Sequence, residues 1–211
     1  MTGSGTDRVD PTTEGTRRSI VMKALPFILA VGGGVGAVMS FVLMGERLRL
    51  AADPDYVPSC SINPVLSCGS VMKTEQASLF GFPNPLIGIA AFSLVATVGM
   101  ALLAGARFRA WFWYGLQSGV LAGVVLVHWL IFQSLYRIGA LCPYCMVVWV
   151  VTITVFWYAT LANLETGRIP GGSSRIARMA GRYHTIVLTV WLLAVAGLIL
   201  QRFWSYWVTL L

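Results

Sequence analysis

Five stretches of this 211-residue chain contain no Asp, Glu, Lys or Arg: residues 25–44, 85–106, 110–136, 141–164 and 183–201. Each can cross about 30 Å of hydrocarbon at about 1.5 Å per residue, the fifth being the shortest. Backbone groups in lipid must be satisfied within the segment, so each stretch predicts a helix. Charged positions are confined to the tails and the connections. The one long connection on the side opposite the N-terminus is 46–84. No internal repeat is present.

Composition agrees with the pattern. Hydrophobic residues make up 57% of the chain and charged residues 11%, against about 25% charged in a soluble domain. So apolar a chain needs lipid as solvent. The net charge of +7 falls in short clusters between apolar runs and forms no basic face, which excludes nucleic-acid binding. Arg8, Arg17, Arg18, Lys23, Arg107, Arg109, Arg168, Arg175, Arg178 and Arg182 fall on one side, ten basic residues in all. Arg47, Arg49, Lys73, Arg137 and Arg202, five in all, fall on the other. The positive-inside rule then places the N-terminus in the cytoplasm and the C-terminus and connection 46–84 outside. Trp204, Tyr206 and Trp207 form an aromatic belt at the last exit.

Residues 1–23 read as a disordered cytoplasmic tail. The run Thr16-Arg17-Arg18-Ser19-Ile20 is similar to a twin-arginine signal, but no cleavage site follows, and we read it as a positive-inside flank. Residues 24–211 form one transmembrane domain, with a flexible connection at 171–174. Gly32, Gly36 and Ser40 make a small-residue stripe for helix packing. The glycines at 32–36 lie inside a span and are no nucleotide loop. His128, mid-span, is expected to be neutral and bonded across helices, and Gln117 and Gln133 to make interhelical hydrogen bonds.

All four cysteines fall on the outer side: Cys60, Cys68, Cys142 and Cys145. Disulfides persist there in bacteria. Spacing favours Cys60 with Cys68 and Cys142 with Cys145 at rest. Cys142-Pro143-Tyr144-Cys145 is a C-x-x-C motif opening a helix. Pro143 suits the first helical position, making Cys142 the N-cap and Cys145 the N3 residue. The helix dipole and orphan N–H groups there favour a thiolate. The tetrapeptide also occurs in glutaredoxins, but their soluble βαβ context is absent. Redox exchange is the chemistry the motif favours. A structural staple and a four-thiol zinc site are the alternatives, though C-x7-C lacks zinc-ribbon symmetry and no outer histidine assists. The loop disulfide is expected to be exposed to a soluble donor, with Leu79, Phe80 and Phe82 at the membrane surface.

Together, Cys60-x7-Cys68, Thr74, Phe80-Gly81, Asn84-Pro85-Leu86-Ile87-Gly88 and Cys142-x2-Cys145 resemble the bacterial five-helix form of the vitamin K epoxide reductase family, over about residues 25–164. The resemblance implies an all-α integral membrane fold. Four helices would bundle around a quinone site, with a fifth at the periphery. It implies that Cys145 faces the quinone, Cys142 is its exchange partner, and Cys60 and Cys68 are a loop shuttle. Thr74 and Ile87 match positions near the site, and the Asn84 amide a donor to a quinone oxygen. Trp149 stands where the vertebrate enzymes carry a tyrosine, which keeps a donor and removes an acceptor. The implied activity is disulfide formation coupled to reduction of a quinone, menaquinone or ubiquinone, with no metal. The implied location is the bacterial inner membrane. The chain reaches Leu211 without a fused thioredoxin-like domain, so the donor is expected to be a separate DsbA-like thioredoxin-fold protein. A DsbB-type oxidase runs the same chemistry with the order of the cysteine motifs reversed. A non-enzymatic scaffold stapled by two disulfides would resist a mild dithiol.

Overall fold

The computed structural model describes residues 11–169 and 181–208. The connection at 171–174, Arg175, Arg178 and the side chains of Arg17, Arg18 and Trp207 lie outside what is described. Helix α1 is Pro11–Ala52. A short α2, Cys68–Met72, is followed by a 3-10 turn, Glu75–Ser78. Helix α3 is Asn84–Leu103, and α4 is Ala110–Gln133, continuing into a π turn, Ser134–Ile138. Helix α5 is Pro143–Glu165, α6 is His184–Arg202 and α7 is Trp204–Val208. Among the described residues, five helices are long and apolar enough to cross a membrane, at the five predicted positions.

Two boundaries differ from expectation. Helix α1 begins at Pro11, so residues 11–23 are helical rather than a disordered tail. Proline fits a first helical turn because it has no N–H to leave unpaired. At the other end α1 runs past Met44 to Ala52, which carries Glu46 and Arg47 above the apolar span on a continuous helix.

Helix α1 packs along α3 and α5, and α4 packs on α5, while α3 and α4 scarcely touch. Leu25, Leu29, Val95, Val98, Trp113, Val155 and Ala159 fill the centre. The α1–α3 seam is close because small residues meet there. A Cβ on Gly33 would overlap the Ala96 backbone, and one on Gly99 the Ala30 backbone. Of the predicted stripe, Gly36 meets the Phe92 ring and Ser40 meets Gly88, whereas Gly32 turns toward Val155 of α5.

Helix α6 is peripheral, as predicted: only 6% of its most apolar window is buried. Polar contacts help to attach it. The Trp157 indole donates to the His184 carbonyl at 3.0 Å, Trp191 donates to His128 Nε2 at 3.0 Å, and Arg202 Nε donates to the Leu135 carbonyl at 2.8 Å. His128 Nδ1 lies 2.8 Å from the Val124 carbonyl, so it donates there and Nε2 accepts, the neutral tautomer bonded across helices. Gln117 also bonds across helices, to Thr160 and Asn163. The Gln133 side-chain oxygen is instead buried without a partner among the described residues.

Candidate redox site

The first connection folds back on itself before it reaches the bundle. Asn63 Oδ1 accepts from the backbone N–H groups of Val65 and Leu66 at 3.0 and 2.7 Å. This Asx-type turn aims the next residues at the start of α5. There Leu66 and Leu141 form an isolated parallel bridge. Ser67 N–H donates to the Leu141 carbonyl at 2.9 Å, and Leu141 N–H donates to the Val65 carbonyl at 2.7 Å. The residue following each bonded segment is a cysteine, Cys68 on one side and Cys142 on the other. Register alone therefore brings their sulfurs together, 2.9 Å apart.

The π turn supplies the other half of that alignment. Gly139, with φ 71°, closes it by donating to the Ser134 carbonyl at 3.0 Å. An L side chain is strained at that φ. The left-handed residue redirects the chain into Ala140 and Leu141, both buried, so that α5 starts beneath the loop.

Cys60 and Cys68 are joined by a disulfide, while Cys142 and Cys145 are free thiols. The loop pairing agrees with the spacing. The second resting pair, Cys142 with Cys145, is not formed, and the Cys142 sulfur sits against Cys68 instead. As predicted, Cys142 is the N-cap of α5, with Pro143 first in the helix. The sulfurs of Cys60, Cys68 and Cys142 all lie within 4.8 Å of one another. Three thiolates at that spacing would suit a metal, but two of these sulfurs are spent in a disulfide, and the set fits exchange better.

One expectation is overturned. The loop disulfide is not exposed: Cys60 is 4% and Cys68 0% accessible. Tyr56, Val71 and Tyr144 pack over it, because the turn that delivers Cys68 to Cys142 also folds the loop onto its own apolar residues. Leu79, Phe80 and Phe82 are exposed, with the two rings stacked, as a segment at a membrane surface would be.

Between α3 and α4, where the two helices fail to pack, lies a cavity of about 550 Å³. Its walls are almost wholly apolar, and its polar lining includes Cys145, Asn84 and Arg47. Such a chamber, apolar with a few polar groups, suits a small hydrophobic ring compound. Ile87 and Trp149 line it as well. Asn84 is partly engaged already: its amide donates to the Gln76 carbonyl at 2.7 Å and its oxygen accepts from Leu79 N–H at 3.0 Å. One amide hydrogen remains for a ligand. Thr74 is not on the wall. Its hydroxyl donates to the Val71 carbonyl at 2.7 Å, closing the end of α2.

Sequence reasoning counted Glu46 and Arg47 only as loop charges. Glu46 is buried and Arg47 lines the cavity. The signal was the helical period: both fall between the buried Leu43 and Leu50, on the face that α1 turns inward.

Among curated proteins, none matches the chain. The family model described as the vitamin K epoxide reductase family matches residues 27–160, a stretch that contains all four cysteines, the bridge and the cavity. The chain belongs to the vitamin K epoxide reductase family.

Proposed function

We propose that the protein oxidises a separate DsbA-like thioredoxin-fold protein on the outer face of a bacterial cytoplasmic membrane and passes the electrons to a quinone. The coarser statement follows from family membership: it is a membrane thiol–disulfide oxidoreductase with quinone-linked activity. In the proposed cycle the partner's dithiol opens Cys60–Cys68 by thiolate attack and leaves as its own disulfide. The Cys68 thiolate then attacks Cys142 of a Cys142–Cys145 disulfide, and Cys60 resolves the resulting Cys68–Cys142 bridge. This returns the loop disulfide and leaves two electrons on Cys142 and Cys145. Those electrons, with two protons, convert the quinone to a quinol as Cys142–Cys145 re-forms. Asn84, through its free amide hydrogen, and Trp149 would orient the ring, and Ile87 would pack against it. Thr74 has only an indirect role, in the shape of the loop. Orientation follows the arginine and lysine count, with the N-terminus inside.

The observation that carries this reading is the 2.9 Å approach of Cys68 to Cys142, with Cys145 on the wall of the cavity. The state in hand, loop oxidised and inner pair reduced, is the one that precedes quinone reduction. Burial of the loop disulfide favours a second reading, a structural staple, but a staple needs no free dithiol against its sulfur. The deciding experiment is non-reducing peptide mapping of Cys60→Ala. Without Cys60 the intermediate cannot be resolved, so a Cys68–Cys142 bridge should accumulate. Finding Cys142–Cys145 joined and Cys68 free would overturn the order.

A further inference from the structure

Two consecutive side chains at the end of α1 hold opposite ends of the redox loop. Glu46, buried, accepts at Oε2 from the Tyr56 hydroxyl at 3.0 Å and the Ser59 N–H at 3.3 Å, and at Oε1 from the Ser59 hydroxyl at 3.0 Å. Arg49 approaches it at 3.9 Å. Ser59 directly precedes Cys60, and its hydroxyl lies 3.4 Å from that of Tyr144, inside the C-x-x-C turn. Glu46 thus fixes the backbone that carries Cys60 and keeps its sulfur under cover. Arg47 holds a later part of the loop. It donates to the Met72 carbonyl and, at 2.8 Å, to the Ser78 hydroxyl. It also lines the cavity, and it has no carboxylate partner among the described residues. Arg47 therefore ties the 72–78 segment to the end of the cavity that Asn84 also borders.

We propose that Glu46 and Arg47 are separate positioning residues for the two half-reactions. Glu46 sets how readily an incoming thiol reaches Cys60, and Arg47 holds the 72–78 segment closed over the quinone. The assignment rests on the thiol-to-quinone function proposed above. The neighbouring acid and base form no ion pair with each other, so the two anchors can be cut one at a time.

The test uses the purified full chain and two readouts. One is the rate at which dithiothreitol opens Cys60–Cys68, followed by alkylation and peptide mapping. The other is the KM for a short-chain ubiquinone with reduced partner in excess. A hydrogen bond lost at Glu46 corresponds to about three- to tenfold, so Glu46→Ala should open the disulfide faster by about that factor and move the quinone KM less than about twofold. Arg47→Met should raise the KM by about tenfold and leave disulfide opening within about twofold. Glu46→Gln and Arg47→Lys, which keep volume or charge, should fall between wild type and these variants and carry the test if the harsher ones fail to fold. Either variant moving both readouts alike, or neither variant moving its own, overturns the proposal. If the wild-type protein reduces no quinone, the proposed function fails instead. Amide exchange across 72–78 then tests the Arg47 anchor: it should quicken in Arg47→Met, and unchanged exchange overturns that assignment.

Discussion

Helix α3 makes two very different boundaries. Toward α1 it is welded: Gly33, Gly36, Gly88 and Gly99 are sites where a single Cβ would meet backbone or side-chain atoms across the seam. Toward α4 it stands off, and the cavity fills the gap. On that far wall Gly115 and Gly119 have nothing within 4 Å of where a Cβ would be. Glycine at the seam removes bulk so that backbones can approach, with dispersion as the gain. Glycine at the gap keeps space empty. The same residue type in the same membrane thus marks either the tightest packing or the least, and only the neighbour decides which.

That contrast gives the largest expected effect. Gly99→Leu drives a branched side chain into the Ala30 backbone, which cannot give way as a flexible side chain would. Overpacking of this kind costs about 1–3 kcal/mol or more, and the seam is the main contact of α1. Thermal denaturation in detergent should show the midpoint lowered by several degrees or the folded yield lost. A normal midpoint would mean that α1 and α3 are not welded.

Gly119→Phe should do the reverse. It adds a ring where the wall is open, and a non-glycine residue is favoured in a helix by up to about 1 kcal/mol. The fold should therefore be kept. The ring would occupy volume intended for the ligand, so the quinone KM should rise by about tenfold or more, equivalent to about 1.4 kcal/mol. Thermal midpoint and steady-state kinetics on one preparation check both halves. An unaltered KM in a folded protein would take the cavity out of the reaction.

The sequence shows the helices and hides the loop. Five spans, the peripheral fifth helix and the N-cap role of Cys142 were legible, because hydrophobic length and proline position are local properties. What escaped is non-local. The Leu66–Leu141 bridge joins residues 75 positions apart (141 − 66) through backbone groups that carry no side-chain signature. From it follow the contact of Cys68 with Cys142 and the burial of the loop disulfide, which a long outer loop would be expected to expose. Thr74 matched a motif position, yet its hydroxyl serves the backbone of its own turn. Glu46 and Arg47 resemble ordinary flanking charges until the helix is seen to continue beyond the span and carry them inward.

The smallest expected effect concerns the least attached region. Helix α6 offers few buried side chains, so its position depends on polar contacts to the bundle as well as on the packing of Ile199. One of these contacts is Trp191 to His128. Trp191→Phe keeps a ring against Phe156, which now meets the indole edge-on, but removes the N–H and leaves His128 Nε2 without its donor. Interhelical hydrogen bonds in membranes are worth about 0.6 kcal/mol on average, because the alternative state also finds partners. The thermal midpoint should drop by only about 1–3 °C, and quinone reduction should be unaltered, since neither residue lines the cavity or touches a cysteine. A large loss of activity in a well-folded Trp191→Phe protein would show that α6 is coupled to the cavity through His128, and that the boundary between bundle and periphery is drawn in the wrong place.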